Sequence, residues 1–555
     1  MNKSSYGSIP KSDVVYESRP QDGLSSTLNG MKNGTHRRGN DHKMGRSQAA
    51  ALVSSALFLL AVLIAIVHPT REDLVRHIEL YSSEPFLYMD QLVDHTASPT
   101  APGNKFAQRY YEKKSHFHGP GHPIFLIIGG EDPLEGLLYP FVHQTLARHF
   151  HAYTASLEHR FFGASLPTAN PTNDQLRQWL TPHQALDDIA RFIQHKRREL
   201  GCNVEDRTNP RYCPVIAVGG SYPGFLAALL RWTHPDVIDV SYASSAPLHL
   251  YGPTFDPDLY YDKVTAVAEV AVAGCAHHVR EVLRSVNSAM VLEEAGEKQA
   301  KELAAQWAQD LGLCEGSVPE YITSPSVLAQ ELMFVIATHF ADANMEYYPP
   351  GPHQVLEKSC RIFMAKHVQT TDRVTQFLQM GNDGDESCFD LSTELPPGPN
   401  ATISAADWSG VGGGPAGFYW DFLSCQLLPP TGFSEESMFP TRQWTIDWET
   451  QHCQDRFELT PHPSGLVNEF HFDKLSRVSR LLLTNGLHDG WSVASILAIN
   501  TTTTPGVRVV NMKDGAHHSD LSHKGPTKHD TREVRRAFTK ITRILDGFLA
   551  DARAP

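Results

Sequence analysis

The stretch Pro214-Val-Ile-Ala-Val-Gly-Gly-Ser221-Tyr-Pro-Gly-Phe-Leu-Ala-Ala-Leu-Leu-Arg-Trp232 packs three local structures into 19 residues. A short apolar run ends at Val218 and reads as a strand buried on both faces. Two glycines then permit a sharp turn with Ser221 at its apex. Good helix formers follow from Phe225 to Trp232. A strand, a tight turn carrying a serine and a helix make the context of a nucleophile elbow. Such a turn lifts the hydroxyl clear of its neighbours and aims the positive end of a helix dipole at charge developing on a reacting carbonyl. The usual Gly-x-Ser-x-Gly is altered here: Pro223 stands where the second glycine belongs, and the next glycine is Gly224. Proline is tolerated in the first helical turn, where its missing N–H has no partner to lose.

A serine nucleophile needs a base, and the base needs an orienting acid; on sheets of this type they follow in the order Ser, Asp or Glu, His. Downstream, the apolar run Leu481-Leu-Leu is followed by Thr484-Asn-Gly-Leu-His-Asp489-Gly-Trp. The run Val507-Arg-Val-Val is followed by Asn511-Met-Lys-Asp-Gly-Ala-His517-His518-Ser-Asp520. Asp489 and the His517/His518 pair thus have the required order, each on a loop after an expected strand. Spacing alone does not choose between the two histidines. With a further run at Ile124–Ile128, the chain reads as α/β: an α/β-hydrolase core built from residues 85–250 and 431–555. The long gap between Ser221 and Asp489 holds mostly helical patterns, at Val264–Val272, Val279–Leu292, Lys298–Leu311, Ala329–Ala337 and Val374–Leu378. They imply an inserted helical cap over residues 251–430, roofing the strand ends and limiting substrate size.

The N-terminus has another character. Residues 1–47 are polar and too poor in apolar side chains to offset ordering entropy, so a disordered cytoplasmic tail is expected. Ala49 to Val67 runs 19 residues with only Ser54 and Ser55 polar, about the length that crosses a roughly 30 Å hydrocarbon layer as a helix. Residues 48–68 therefore read as a single transmembrane signal anchor. Arg37, Arg38, Lys43 and Arg46 precede it, which keeps the tail cytoplasmic and translocates the bulk of the chain, a type II topology. All eight cysteines follow the apolar stretch, so an oxidising compartment allows up to four disulfides. Asn400-Ala-Thr and Asn500-Thr-Thr are acceptor sites for N-glycans in a lumenal or extracellular domain.

Charge and motif content exclude several classes. The 555 residues carry a formal charge of −14, made of +4 in residues 1–70 and −18 beyond them. A nucleic-acid partner has no basic face to bind. No phosphate-cradling or dinucleotide motif appears, so no cofactor is expected. His116-Phe-His118 and His149-Phe-His151 would set alternate side chains on one strand face, but nothing adds the further ligands of a metal site.

These residues resemble the lysosomal Pro-X carboxypeptidase and dipeptidyl peptidase II family of serine exopeptidases. The likeness rests on Gly129-Gly-Glu131, Glu158-His-Arg-Phe-Phe-Gly-Ala-Ser-Leu-Pro167, Leu180-Thr-Pro-His-Gln184-Ala-Leu-Asp-Asp188 and Gly219-Gly-Ser221-Tyr. Ser244-Ser-Ala-Pro247, Asn485-Gly-Leu-His-Asp489-Gly-Trp491-Ser and Gly515-Ala-His517-His518-Ser-Asp520-Leu complete it. The resemblance implies Ser221 as nucleophile, Asp489 as orienting acid and His517 as base. It implies oxyanion donors at the Tyr222 and Gly130 N–H groups, and substrate contacts at Glu131 and at an apolar proline pocket near Phe225 and Trp491. Proline-containing peptides are the expected partners, in a vacuolar, lysosomal or cell-surface setting, with self-association as a homodimer left open. Where the family carries an acid shortly after the cysteine of Trp420-Asp-Phe-Leu-Ser-Cys425, Gln426 and Leu427 stand here. The three side chains leave the acyl group open, so an esterase or lipase on this fold is an alternative. A catalytically dead, membrane-tethered binding protein is another, motivated by Pro223.

Overall fold

The computed structural model describes residues 84–252, 255–292, 297–380, 387–395, 414–427, 431–441, 446–462 and 465–554. The tail and anchor expected over residues 1–47 and 48–68, and the sequon at Asn400, lie outside them. No described helix is long and apolar enough to cross a membrane.

Among the described residues eight strands form one sheet: β1 (Phe86–Gln91), β2 (Phe106–Lys113), β3 (Ile124–Ile128), β4 (Tyr153–Leu157), β5 (Val215–Gly220), β6 (Val240–Ser244), β7 (Leu481–Gly486) and β8 (Val507–Met512). Their order across the sheet is β1-β2-β4-β3-β5-β6-β7-β8. Only β2 runs against its neighbours β1 and β4; every pairing from β4 to β8 is parallel. This is the α/β-hydrolase arrangement. β3 shows why the sheet needs helices on both faces. Ile124, Leu126 and Ile128 join one apolar core, while Phe125 and Ile127 join the other, because successive strand side chains point to opposite faces.

One core receives α1 (Pro182–Glu199) and α2 (Tyr222–Thr233). Thr181 caps α1 by accepting the Gln184 N–H, with Pro182 preset in the first turn. The opposite core receives Phe141–Leu146 and the C-terminal helix α11 (Arg532–Ala552). The buried stripe Val534, Ala537, Phe538, Ile541, Leu545, Phe548 and Ala552 on α11 follows helical spacing.

Between β6 and β7 the chain is helical: α3 (Leu259–Ala271), α4 (Cys275–Leu292), α5 (Glu297–Asp310), α6 (Pro325–Met345), α7 (Val355–Phe363), α8 (Thr370–Gln379), α9 (Gly414–Leu427) and α10 (Ile446–Phe457). Helix α6 is buried on nearly every side, as expected of a helix apolar all round. Disulfides Cys275–Cys360, Cys314–Cys388 and Cys425–Cys453 tie this region, and Cys202–Cys213 closes the loop before β5. All eight cysteines are paired, the usage of an oxidising compartment.

The two His-Phe-His motifs do not lie on strands as their alternation suggests. β2 ends at Lys113 and β4 starts at Tyr153; His149 lies within a single helical turn that ends at Phe150, and His151 caps it with φ 53°. The His118 and His151 rings stack with centroids 4.0 Å apart.

The polar block from Glu158 to Asp188 is an ionic anchor inside the fold. The Arg160 guanidinium, wholly buried, donates to both Asp188 oxygens (2.8 and 2.6 Å) and to the Leu92, Val93 and Trp179 carbonyls. The Glu158 carboxylate accepts from Arg109, Ser165 Oγ (2.6 Å) and the Leu134 and Ala164 N–H groups. Removing one partner strands a buried charge. Asp188→Asn is expected to lower stability by about 3–5 kcal/mol, measured by denaturant unfolding of the variant against the parent chain.

Candidate active site

Ser221 sits between β5 and α2 with φ 61° and ψ −130°. A non-glycine residue adopts that backbone only where its surroundings over-determine it. Here the surroundings are backbone. The Ser221 N–H donates to the Ser244 carbonyl at 3.0 Å and its carbonyl accepts the Phe225 N–H at 3.0 Å. A Cβ at Gly219 would lie 2.1 Å from the Pro223 carbonyl oxygen, and one at Gly224 would lie 2.9 Å from that of Ser244. The elbow closes only with glycine at both places.

Pro223 has a partner of its own. A Cβ on Gly130 would fall 2.9 Å from Pro223 Cγ, so the loop after β3 lies directly against the pyrrolidine ring. Gly130 is thereby brought beside the elbow at the start of α2, and the two expected donors are its own N–H and that of Tyr222. Neither N–H donates to a described acceptor.

Asp489 and His517 meet. His517 Nδ1 donates to Asp489 Oδ2 at 2.6 Å, with both side chains buried. Asp489 Oδ1 accepts the Trp491 N–H at 2.9 Å, an N-cap on the short turn Gly490–Ala494. With Nδ1 committed to the carboxylate, Nε2 is left as the acceptor face of the neutral ring. Among the described residues no hydrogen bond joins Ser221 Oγ to His517, as is common before substrate tightens such a contact.

Geometry separates the two histidines that spacing could not. His518 Nδ1 is buried without a partner, and burial, then the neighbouring His517, holds its pKa well below the ordinary imidazole value. Its N–H donates to Ser245 Oγ at 3.0 Å. Its ring fills the space a Cβ on Gly220 would need, 2.9 Å from Cδ2.

The remaining expected residues fall at several depths. Glu131 follows Gly130 and is buried; burial pushes its carboxyl up to about 7, and burial, then the Glu131 charge, raises the Tyr222 phenol. Asp132 is likewise raised by burial, to about 6. The Tyr222 phenol donates to His159 Nε2 at 3.3 Å, because His159 Nδ1 is spent on the Arg160 carbonyl at 2.8 Å. Phe225 is enclosed, stacked on Tyr251 with centroids 4.0 Å apart, and Trp491 stacks on Tyr260 at 4.0 Å. Gln426 donates to the Leu180 carbonyl at 3.4 Å, and Leu427 is buried. Asp421, Cys425 and His452 lie close together, but Cys425 is bonded to Cys453, so this trio offers a metal no thiolate.

Three supporting residues escaped sequence reasoning. Tyr139 accepts the Gly220 N–H on its hydroxyl at 3.1 Å. Asp520 accepts from Tyr242 Oη and Ser244 Oγ, both at 2.6 Å. Asn344, on α6, bonds to both backbone neighbours of Asp489. A polar residue late in an apolar helix was the only available signal for Asn344; Asp520 stood in a quoted family block without a role, and Tyr139 had no signal.

The sequence model of the serine carboxypeptidase S28 family matches residues 91–541. The chain belongs to that family. It is a serine peptidase. Lysosomal Pro-X carboxypeptidase of Bos taurus is 25% identical over 456 residues, covering 78% of this chain and 82% of that one. The Homo sapiens protein of the same name is 25% identical, over 79% and 83%. Prolyl carboxy peptidase like protein 5 of Caenorhabditis elegans is 24% identical, over 80% and 87%. Among solved structures, a Pyrococcus horikoshii acylaminoacyl peptidase aligns over 86% of this chain and 43% of its own, at 9% identity and a TM-score of 0.32, too slight a likeness to argue from.

Glu131 yields a pH test. A carboxyl raised by folding keeps its proton where the unfolded chain has lost it, so its ionisation costs stability between its unfolded value of 4.5 and about 7. Glu131→Gln removes that cost. The melting temperature of the variant minus that of the parent is expected to rise with pH across this window; a flat difference contradicts the assignment. His159, lowered by burial to about 4, acts in the opposite sense but cancels in the difference.

Proposed function

We propose that this chain is an exopeptidase that cleaves peptides next to proline through a Ser221–His517–Asp489 triad and an acyl-enzyme. The observation that carries the reading is the Asp489–His517 hydrogen bond, on loops after β7 and β8, at the same sheet edge as the strained Ser221 after β5. In the forward step Ser221 Oγ attacks the substrate carbonyl while its proton passes to His517 Nε2. Asp489 holds the ring and stabilises the imidazolium. The Tyr222 and Gly130 N–H groups receive the oxyanion, each worth about 3–4 kcal/mol to the transition state. The leaving amine takes the proton from His517, and water then repeats the sequence on the ester.

The family relatives named for Pro-X carboxypeptidase activity support proline specificity, and the aromatic surroundings of Phe225 and Trp491 suit an apolar ring. The helices inserted over residues 251–430 act as a cap that limits the site to chain ends. Residues 48–68 anchor the protein as a type II membrane protein with its catalytic part lumenal or extracellular, a placement that the four disulfides and the lysosomal naming of the relatives support.

Ser221→Ala is expected to lower turnover of a Pro-X reporter by about 10⁶-fold while the protein still folds. Asp489→Asn should lower kcat by about 10⁴-fold by releasing the tautomer of His517. Single-turnover assays with peptide and ester reporters, and mass analysis of products from a defined proline-containing peptide set, check both. Retained peptide cleavage by Ser221→Ala would refute the nucleophile. Alkaline extraction of membranes should leave the full chain in the pellet and release a chain lacking residues 1–70.

A further inference from the structure

Of the two backbone groups flanking Asp489, the Gly490 N–H is buried and the His488 carbonyl partly so, and such groups need partners. Both find them on one side chain from outside the sheet. The Gly490 N–H donates to Asn344 Oδ1 at 2.7 Å, and Asn344 Nδ2 donates to the His488 carbonyl at 2.7 Å. Asn344 is completely buried in the last turn of α6. One residue later, the Met345 carbonyl, among the four that a helix end leaves without intrahelical donors, accepts the His517 N–H at 3.0 Å. The same helical turn therefore grips the loop of the acid on both sides and the backbone of the base. Gly490 is shaped to this contact, since a Cβ there would lie 3.1 Å from Asn344 Oδ1 and 2.8 Å from the Tyr260 ring.

A carboxamide suits this place because it presents one donor and one acceptor in a plane. A carboxylate would lose the donor, and a leucine of similar size would lose both. The consequence reaches the chemistry through Asp489. Its backbone is pinned on either side, which aims Oδ2 at His517 Nδ1 and fixes the ring for the proton it must receive.

We propose that Asn344 is a positioning residue for catalysis: contributed by the helical insertion, it aligns the Asp489–His517 pair, so that the triad is complete only when the end of α6 is seated on the two loops. The inference rests on the triad reading above. Neither the family match nor the relatives assign Asn344 a role.

The test uses the full chain with Asn344→Leu, which conserves volume and removes both hydrogen bonds, and Asn344→Asp, which keeps the acceptor for Gly490. An organophosphonate that labels a nucleophilic serine supplies two readouts. The labelled fraction reports folded sites, and the labelling rate constant reports how well Ser221 is activated. A positioning role predicts that the Leu variant keeps a labelled fraction but loses about 10- to 100-fold in labelling rate and in kcat per labelled site. KM should change little, and Asn344→Asp should fall between it and the parent. A purely structural role predicts a smaller labelled fraction with unchanged rate constant and kcat, which overturns the proposal. If Asn344→Leu does not fold, the rate constant of Asn344→Asp decides: a parental value overturns the inference and a reduced one supports it. Absence of labelling at Ser221 in the parent chain would instead overturn the triad, and this proposal with it.

Discussion

The site depends on one short hydrogen bond, from His517 Nδ1 to Asp489 Oδ2 at 2.6 Å. Both groups are buried, and either alone would be costly to leave unpaired. The bond exists because two loops continue the pairing of their strands. β7 and β8 stay in register to Gly486 and Met512. Beyond them the Leu487 N–H donates to the Met512 carbonyl and the His488 N–H to that of Gly515, each at 2.9 Å. The loops approach so closely that a Cβ on Gly486 would lie 2.0 Å from the Ala516 carbonyl oxygen. Asp489 and His517 are thus brought together by a backbone ladder, with Asn344 and Met345 holding its outer side.

The serine is held by another means. Its strained backbone is enforced by close backbone packing around Gly219 and Gly224 and by the hydrogen bond to Ser244. The substitution of proline for glycine at 223 is absorbed rather than merely tolerated. Its ring fills the space that the absent side chain of Gly130 leaves, joining the loop after β3 to the elbow. The elbow gains rigidity there without losing a helical hydrogen bond, because proline replaces a first-turn N–H that has no intrahelical partner.

Several blocks that carried the family resemblance have no reacting atoms. Glu158 and Arg160 are buried hubs with every strong partner supplied by protein. They tie the loop after β4 to α1 and to the residues just after β1. Their neighbour His159, held neutral by burial, accepts the phenol of Tyr222 and so links this framework to the residue after the serine. Motif likeness in this chain therefore marks scaffold as much as chemistry.

Three of the strands announced by apolar runs, β3, β5 and β7, were legible because burial on both faces leaves a local signature; β8, exposed at Arg508 and Asn511, was legible from its three valines. Ser221, Asp489 and the His517/His518 pair were legible because turn chemistry follows β5, β7 and β8. β4 and β6 were not, since Thr154, Ser156, Ser241 and Ser244 interrupt them with small polar residues that find partners only in the fold. The expectation of strand alternation at His116–His118 and His149–His151 failed because period 2 is also what a loop can show by chance over three residues. What the amino-acid order determined by itself was four of the eight described strands, the turns after them and the candidate reacting groups, all encoded within a few residues of one another. The tertiary structure alone decided that His517 and not its neighbour meets Asp489, that Pro223 nests on Gly130, and that Asn344 brackets the acid. Each joins residues tens to hundreds of positions apart or turns on side-chain direction, and neither property is written in local sequence.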